Sequence, residues 1–282
     1  MRLKKIVFTT LLAWVVALAT AGRERTSFNG DWRLQVGDEA RASEPGFDDS
    51  GWQRVTLPYA FNGDEAFRKD IVDLTDTICW YRKKFLLSAE EVQSKVFVEF
   101  EGVRQGADFY LNGHHLGLSE NGVMACGFDL TPYIKEGENV IAVRCDNSWQ
   151  YRSRKHNSRY QWNDRNFNAN YGGIPKNVWL HVTDKLYQTL PLYSDLGTTG
   201  TYVYATDFDI PNHRATIHAE SEVKNDDTKP HTFKMGMLMR DMEGKMKFFT
   251  MSDAVTLQSG ETCVLRAANT AHNLHFWSWG YG

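Results

Sequence analysis

Between Asn147 and Gly173 the chain gathers side chains suited to gripping a polyhydroxylated ligand. Trp149, Tyr151, Tyr160, Trp162, Phe167 and Tyr171 supply flat apolar rings. Interleaved Asn, Asp and Arg residues supply donors and acceptors for hydroxyl groups. Between Tyr151 and Arg165 stand Arg152, Arg154, Lys155, Arg159 and Arg165, opposed only by Asp164. Guanidinium groups bind carboxylates bidentately, so an acidic sugar such as a uronate is one expected ligand. Basic residues interleaved with aromatics also suit single-stranded nucleic acid. A formal net charge of −3 argues against that class, whose members are basic overall. No nucleic-acid partner is expected.

Other candidate chemistry is thinner. Asp48-Asp49, Glu90-Glu91 and Asp226-Asp227 are adjacent acids in turn-like contexts. Neighbours in a strand point to opposite faces, so none reads as an acid/base pair, and turn acids are ordinarily structural. Asp129 reads as a turn or capping residue beside Thr131. His114-His115 invites a metal reading but lacks a third ligand, so an exposed hairpin is preferred. No G-x-S-x-G elbow and no phosphate-cradling Gly-rich loop occurs. Cys79, Cys126, Cys145 and Cys263 form no CxxC or Cys/His cluster, so neither zinc nor another cofactor is expected. Cys79 and Cys145 lie in apolar runs where buried free thiols are the common case.

The elements that must position these groups read as β throughout. Strand candidates are Ile78–Leu86, Val96–Phe100, Ala107–Leu111, His115–Leu118, Val140–Cys145 and Val178–Val182. Asn112-Gly113 between two of them signals a type I′ hairpin, whose two central residues need positive φ. One helical turn is expected at Thr131–Lys135, capped by Thr131. A second series starts near Gly200, with Tyr202–Tyr204, Thr216–Val223, Thr232–Met239, Lys245–Met251 and Thr262–Leu265. Its spacing reads as a small immunoglobulin-like sandwich. The stretch 147–173 breaks this rhythm, and loops of that length in compact domains are usually functional or disordered; its aromatic content disfavours disorder.

The first residues carry an address. Arg2, Lys4 and Lys5 precede an apolar run from Ile6 to Leu18, then Ala19-Thr20-Ala21. This is the pattern of a cleavable secretory signal over residues 1–21, and the run is too short to span a bilayer. A periplasmic or secreted protein, with no membrane partner, is expected. Without the three basic residues the remainder is more acidic still.

Taken in order, several segments resemble one family. Phe28-Asn29-Gly30-Asp31-Trp32 resembles its opening strand. Trp52-Gln53-Arg54-Val55-Thr56-Leu57-Pro58-Tyr59 resembles W-x-x-V-x-L-P-H, with Tyr59 for His. Trp80 to Phe85 resembles its Y-R-R/K-x-F strand. Phe100-Glu101-Gly102-Val103, then Phe109 to Gly113 with Gly117, resemble its F-x-G-V and V-Y-x-N-G-x-x-x-G hairpin. Asp129-Leu130-Thr131, Gly137 to Val143 and Gly172-Gly173-Ile174-Pro175-Lys176-Asn177-Val178-Trp179-Leu180 come next, the last with Pro175 for Tyr. The pattern is similar to the N-terminal sugar-binding domain of glycoside hydrolase family 2, the β-galactosidases, β-glucuronidases and β-mannosidases. The later strands, with Phe276-Trp277-Ser278-Trp279 closing, resemble the family's immunoglobulin-like domain more loosely.

The resemblance implies an all-β protein: a jelly-roll-type β-sandwich over residues 22–184, then an immunoglobulin-like β-sandwich over residues 185–282. It implies a β-galactosidase-like retaining exo-glycosidase whose two carboxyls, about 5–5.5 Å apart, sit in a (β/α)8 barrel. That barrel would begin where this chain ends. The chain is then expected to be inactive alone, as a fragment, a truncated product or a scaffold for a separately encoded barrel. A freestanding carbohydrate-binding module is the alternative. The resemblance places substrate contacts at Trp162, Asp164, Arg165, Asn166, Asn168 and Asn170. The structural alternative is that the loop and its basic residues bind only the barrel. The carbohydrate expected is a β-glycoside.

Overall fold

A computed structural model of the chain describes residues 22–63, 77–158 and 171–277. The expected signal segment, residues 1–21, lies outside them. Among the described residues no helix is long and apolar enough to cross a membrane.

The first unit is a sandwich of antiparallel sheets. Its strands are β1 (Glu24–Ser27), β2 (Trp32–Val36), β3 (Gln53–Val55), β4 (Tyr59–Ala60), β5 (Ile78–Leu87) and β6 (Lys95–Phe100). After them come β7 (Gly106–Leu111), β8 (His114–Ser119), β9 (Cys126–Asp129), β10 (Gly137–Asp146), β11 (Gly173–Ile174) and β12 (Val178–Thr183). One sheet runs β3-β2-β5-β10-β7-β8 and faces β1-β12-β6-β9; β4 pairs with β11 at the side. Alternation explains the core. In β5, Cys79, Tyr81, Phe85 and Leu87 enter the core, while Lys84 and Leu86 point out. Trp32, Phe100, Phe109, Leu111 and Ile141 complete the interior.

The outer face of the larger sheet is also covered, which is why β10 is buried on both sides. Ala42, Trp80 and Ala142 form a small cluster there. Arg82 is buried and donates from Nε to Asp49 at 2.9 Å, with further bonds to the carbonyls of Ala42 and Glu44. A buried charge needs such a partner. The pair fastens the segment before β3 across the sheet.

Several local expectations are met and some are refined. Asn112 and Gly113 both have positive φ, 50° and 87°, as the hairpin requires. Phe28–Asp31 is not a strand but the link between β1 and β2, with Asp31 at φ 58°. Residues 131–133 form one turn, and Thr131 does not cap it. Asp129 accepts from the Thr131 N–H at 3.0 Å, and Thr131 Oγ1 instead accepts from the Val96 N–H.

The second unit comprises β13 (Leu186–Gln188), the short helix α1 (Tyr193–Leu196), β14 (Thr201–Asp209), β15 (Arg214–Asn225) and β16 (His231–Phe233). It continues with β17 (Gly236–Arg240), β18 (Met246–Met251), β19 (Val255–Leu257) and β20 (Thr262–Ala271). β15 is central, with β13 and β14 along one edge and β20 along the other; β16–β19 and β17–β18 pair separately. Ala219, Val223, Met235, Leu257 and Leu265 form its core. The two units meet through Phe97, Tyr187, Leu190 and Leu192. Lys95 also pairs with Asp129 at 2.5 Å and Asp226 at 3.2 Å.

Candidate functional site

Trp162, Asp164, Arg165, Asn166, Asn168 and Asn170 lie outside the described residues. The structure describes the two shoulders of their loop, 147–158 and 171–173, and both are held tightly.

The first shoulder leaves β10 at Asn147, whose N–H donates to the Thr77 carbonyl at 3.1 Å. Trp149 and Tyr151 are buried. Glu120 gathers residues 151–154. Its carboxylate accepts from Tyr151 Oη at 2.6 Å, Ser153 Oγ at 3.0 Å and the Arg154 N–H at 2.7 Å. Burial pushes the Glu120 carboxyl up, but the hydrogen bonds outweigh it and hold the group below its ordinary value. Burial and then Glu120 push the Tyr151 phenol well up. Arg154 forks onto the buried Asp108, and His115 Nε2 lies 2.9 Å from the same carboxylate. Burial raises Asp108, yet Arg154 and His115 hold it below its usual range.

The second shoulder depends on two adjacent glycines. The Gly172 N–H donates to Asn62 Oδ1 at 2.9 Å, and the Phe61 N–H donates to the Gly172 carbonyl at 3.1 Å. A Cβ on Gly172 would lie 2.4 Å from Asn147 Cγ. Gly173 has φ +93°, and a Cβ there would lie 2.2 Å from Tyr81 Oη. That hydroxyl donates to the Tyr59 carbonyl at 2.6 Å. Gly173 and Arg104 exchange backbone hydrogen bonds, both 2.9 Å. The glycines of the family-like motif are thus required by close approach, not by turn formation alone.

Both shoulders converge on one short segment. Arg104 holds Gly173. Gly106 receives the Tyr151 ring so closely that a Cβ would stand 2.1 Å from Cζ. Asp108 holds Arg154. Residues 104, 106 and 108 lie at the entry to β7, so this one short segment acts as a common post for both ends of the loop.

Sequence reasoning missed Arg104. Its side chain is 6% exposed, and its Nε has no hydrogen-bond partner among the described residues. Its guanidinium lies 4.7 Å from the centroid of the Tyr171 ring. Charge counting within the loop could not find it, because it stands on another element. The loop's own described arginines are engaged elsewhere. Arg152 Nη1 donates to the Asn157 carbonyl at 2.8 Å, closing a turn, and Arg154 is held by Asp108.

The remaining candidates have structural partners. Asp48 accepts from the Ser50 N–H, and Glu91 exchanges bonds with Ser88. Asp226 pairs with Lys95 and Lys224, and Asp227 with His231. His114 stacks on Tyr133 with centroids 4.7 Å apart, while His115 serves Asp108. All four cysteines are free thiols; Cys79 and Cys145 face each other across β5 and β10.

Residues 59–180 match the family described as the glycosyl hydrolase 2 galactose-binding domain-like domain. A Beta-glucuronidase of Formosa agariphila is 34% identical over 269 residues, covering 92% of this chain and 27% of that protein. Beta-galactosidase BoGH2A of Bacteroides ovatus is 29% identical over 262 residues, covering 90% of this chain and 28% of that one. The solved structure of a beta-glucuronidase from glycoside hydrolase family 2 superposes with a TM-score of 0.82 at 33% identity, over 90% of this chain and 27% of the other. The chain thus spans about a quarter of the length of these relatives. The nearly all-β architecture, the motif order and these likenesses give one conclusion: the chain belongs to glycoside hydrolase family 2, as an N-terminal region of that family.

Proposed function

We propose that this chain is the non-catalytic N-terminal region of an exported exo-glycosidase acting on β-glycosides. In this reading the loop 147–173 supplies one wall of the substrate pocket. The hydrolytic carboxylates belong to a (β/α)8 barrel outside these 282 residues.

One observation carries the reading. Two ends of a long aromatic and amide-rich loop are fixed on a single post, residues 104–108, by a backbone bridge, a buried ring and a forked ion pair. Such fixing is what a contact loop needs, because preorganised groups bind without a large ordering cost. The adjacent acids support the non-catalytic part, since Asp48, Asp49, Glu91, Asp226 and Asp227 each have a structural partner. Export rests on the sequence of residues 1–21.

Arg104 sharpens the ligand. A buried guanidinium whose Nε has no hydrogen-bond partner among the described residues suits a carboxylate that arrives with the substrate. An acidic sugar is therefore favoured over a neutral one, with Arg104 as an expected contact beside the loop's Arg165, while Arg152 is engaged with the Asn157 carbonyl. The test is turnover of nitrophenyl β-glucuronide and β-galactoside by the purified chain. No hydrolysis is expected. Turnover that is abolished by replacing a carboxylate of this chain would overturn the reading.

A further inference from the structure

The outer face of the second sheet holds a row of side chains that neither core nor loop uses. Tyr204 of β14 stands opposite His218 of β15, and His218 stands opposite Ala268 of β20. Their positions are out of phase with Ala219, Val223 and Leu265, so they project away from the core. Tyr204 and His218 stack almost parallel, with centroids 4.7 Å apart and planes 7° apart. Tyr202, 64% exposed, also stacks on Tyr204, with centroids 5.3 Å apart. Thr206 Oγ1 lies 2.8 Å from His218 Nε2 and fixes the tilt of the imidazole.

This stack covers one face of the His218 ring. The other face is turned toward Ala268, whose methyl group is too small to fill the space. Beside it, Glu220 and Arg266 face each other in register and pair through Oε1 and Nε at 3.1 Å. The result is a cleft of about 280 Å³ lined by Tyr204, His218, Glu220, Arg266 and Ala268. That falls just below the range of about 300–1,000 Å³ that encloses drug-sized ligands, and suits a single ring.

We infer that this cleft is a second carbohydrate site, separate from the loop 147–173, that takes one neutral pyranose unit of a glycan. A fixed aromatic face offers the surface on which the C–H face of a pyranose packs. The adjacent carboxylate and guanidinium offer an acceptor and donors to its hydroxyls, as polar groups in sugar sites must. Their charges cancel, so nothing selects an ionised sugar, in contrast to Arg104. A ring face flanked by this ion pair is also a poor seat for an aliphatic side chain, which would cover the pair's remaining donors and acceptors without satisfying them.

The test follows the His218 ring protons by NMR while the 282-residue chain is titrated with methyl β-D-glucopyranoside and, separately, methyl β-D-galactopyranoside. Saturable shifts at millimolar sugar are expected for at least one. Ala268→Leu fills the cleft from an exposed position and is expected to weaken that binding by about tenfold or more. Arg266→Gln, which leaves the strand pairing intact, is expected to weaken it several-fold and serves if the leucine variant does not fold. Shifts unchanged in these variants, or no response of His218 to either sugar, would overturn the inference. Shifts that follow protein concentration instead of sugar would overturn it in favour of packing against another protein surface.

Discussion

Arg154 donates to Asp108 from both terminal nitrogens, at 2.9 and 2.5 Å, across 46 residues of sequence. Asp108 is almost wholly buried and Arg154 half exposed, so the pair reaches from the interior of the sandwich out to the loop. It is the tether that decides where the first shoulder can go.

Replacing Asp108 with Asn keeps the shape and removes the charge. Arg154 then loses the second acceptor of its fork, and both Arg154 and His115 lose the carboxylate charge. A loss of about 1–3 kcal/mol is expected in urea unfolding, as for a buried charge-assisted bond. Faster proteolytic cleavage within residues 151–158 should accompany it. Unfolding and cleavage both equal to the parent would show that the tether holds nothing.

Acid should release the same shoulder. The carboxyls of Asp108 and Glu120 are both held below their ordinary values of 3.8 and 4.5. For a depressed carboxyl the stabilisation is complete above the unfolded value and is lost as pH falls through the folded one. Trp149, buried two residues before Tyr151, reports it. Its fluorescence should stay constant down to the ordinary carboxylate range and change below it. In Glu120→Gln the Glu120 contribution to that step should be absent.

Gly173→Ala and Gly37→Ala separate two costs. Both glycines have positive φ, +93° and +107°, but only Gly173 has neighbours that a Cβ would strike. Gly37→Ala should cost about 1 kcal/mol from backbone conformation alone. Gly173→Ala should cost about 3 kcal/mol or more, because Tyr81 cannot move without losing the Tyr59 carbonyl. Adding Tyr81→Phe should restore part of this, since the ring carbons at 2.9 Å remain in the way. Equal costs for both alanines, measured by chemical denaturation, would contradict the close-packing role.

Arg104→Met should do the opposite of most core substitutions. The Arg104 Nε has no hydrogen-bond partner among the described residues, so an apolar side chain there should change stability by less than about 1 kcal/mol or raise it. Affinity for methyl β-D-glucuronide should fall while affinity for neutral glycosides is kept. Equal loss for acidic and neutral sugars would remove Arg104 as a carboxylate receptor.

Cys79 and Cys145 should both resist thiol reagents in the folded chain. Burial raises the Cys79 thiol well above its ordinary value, with Cys145 adding to it. Reaction within the native state, before unfolding, would contradict their placement.

The periodic and turn-forming parts of this fold are legible in sequence. Ile78–Leu86, Val96–Phe100 and Val140–Cys145 lie within β5, β6 and β10 because alternation and β-branched content act over a few residues. Asn112-Gly113 is legible because positive φ restricts residue type. Thr232–Met239 reads as one strand in the sequence, but Met235 turns inward to the core and divides it into β16 and β17. Residues 186–196 have no clean period and carry β13 and α1, both too short to express one. The post at 104–108 is not legible. Asp108 and Arg154 are partners only in space. Arg104 stands out by its burial and its place against Tyr171, which no local pattern encodes.

The most direct measurement is saturation-transfer NMR of methyl β-D-glucuronide on the intact chain and on a variant with residues 159–170 replaced by a Gly-Ser linker of equal length. Saturation transfer to the intact chain, and its loss in the variant while the circular dichroism stays the same, is the predicted result. Transfer of equal strength to both proteins would contradict a substrate-contacting role for the loop.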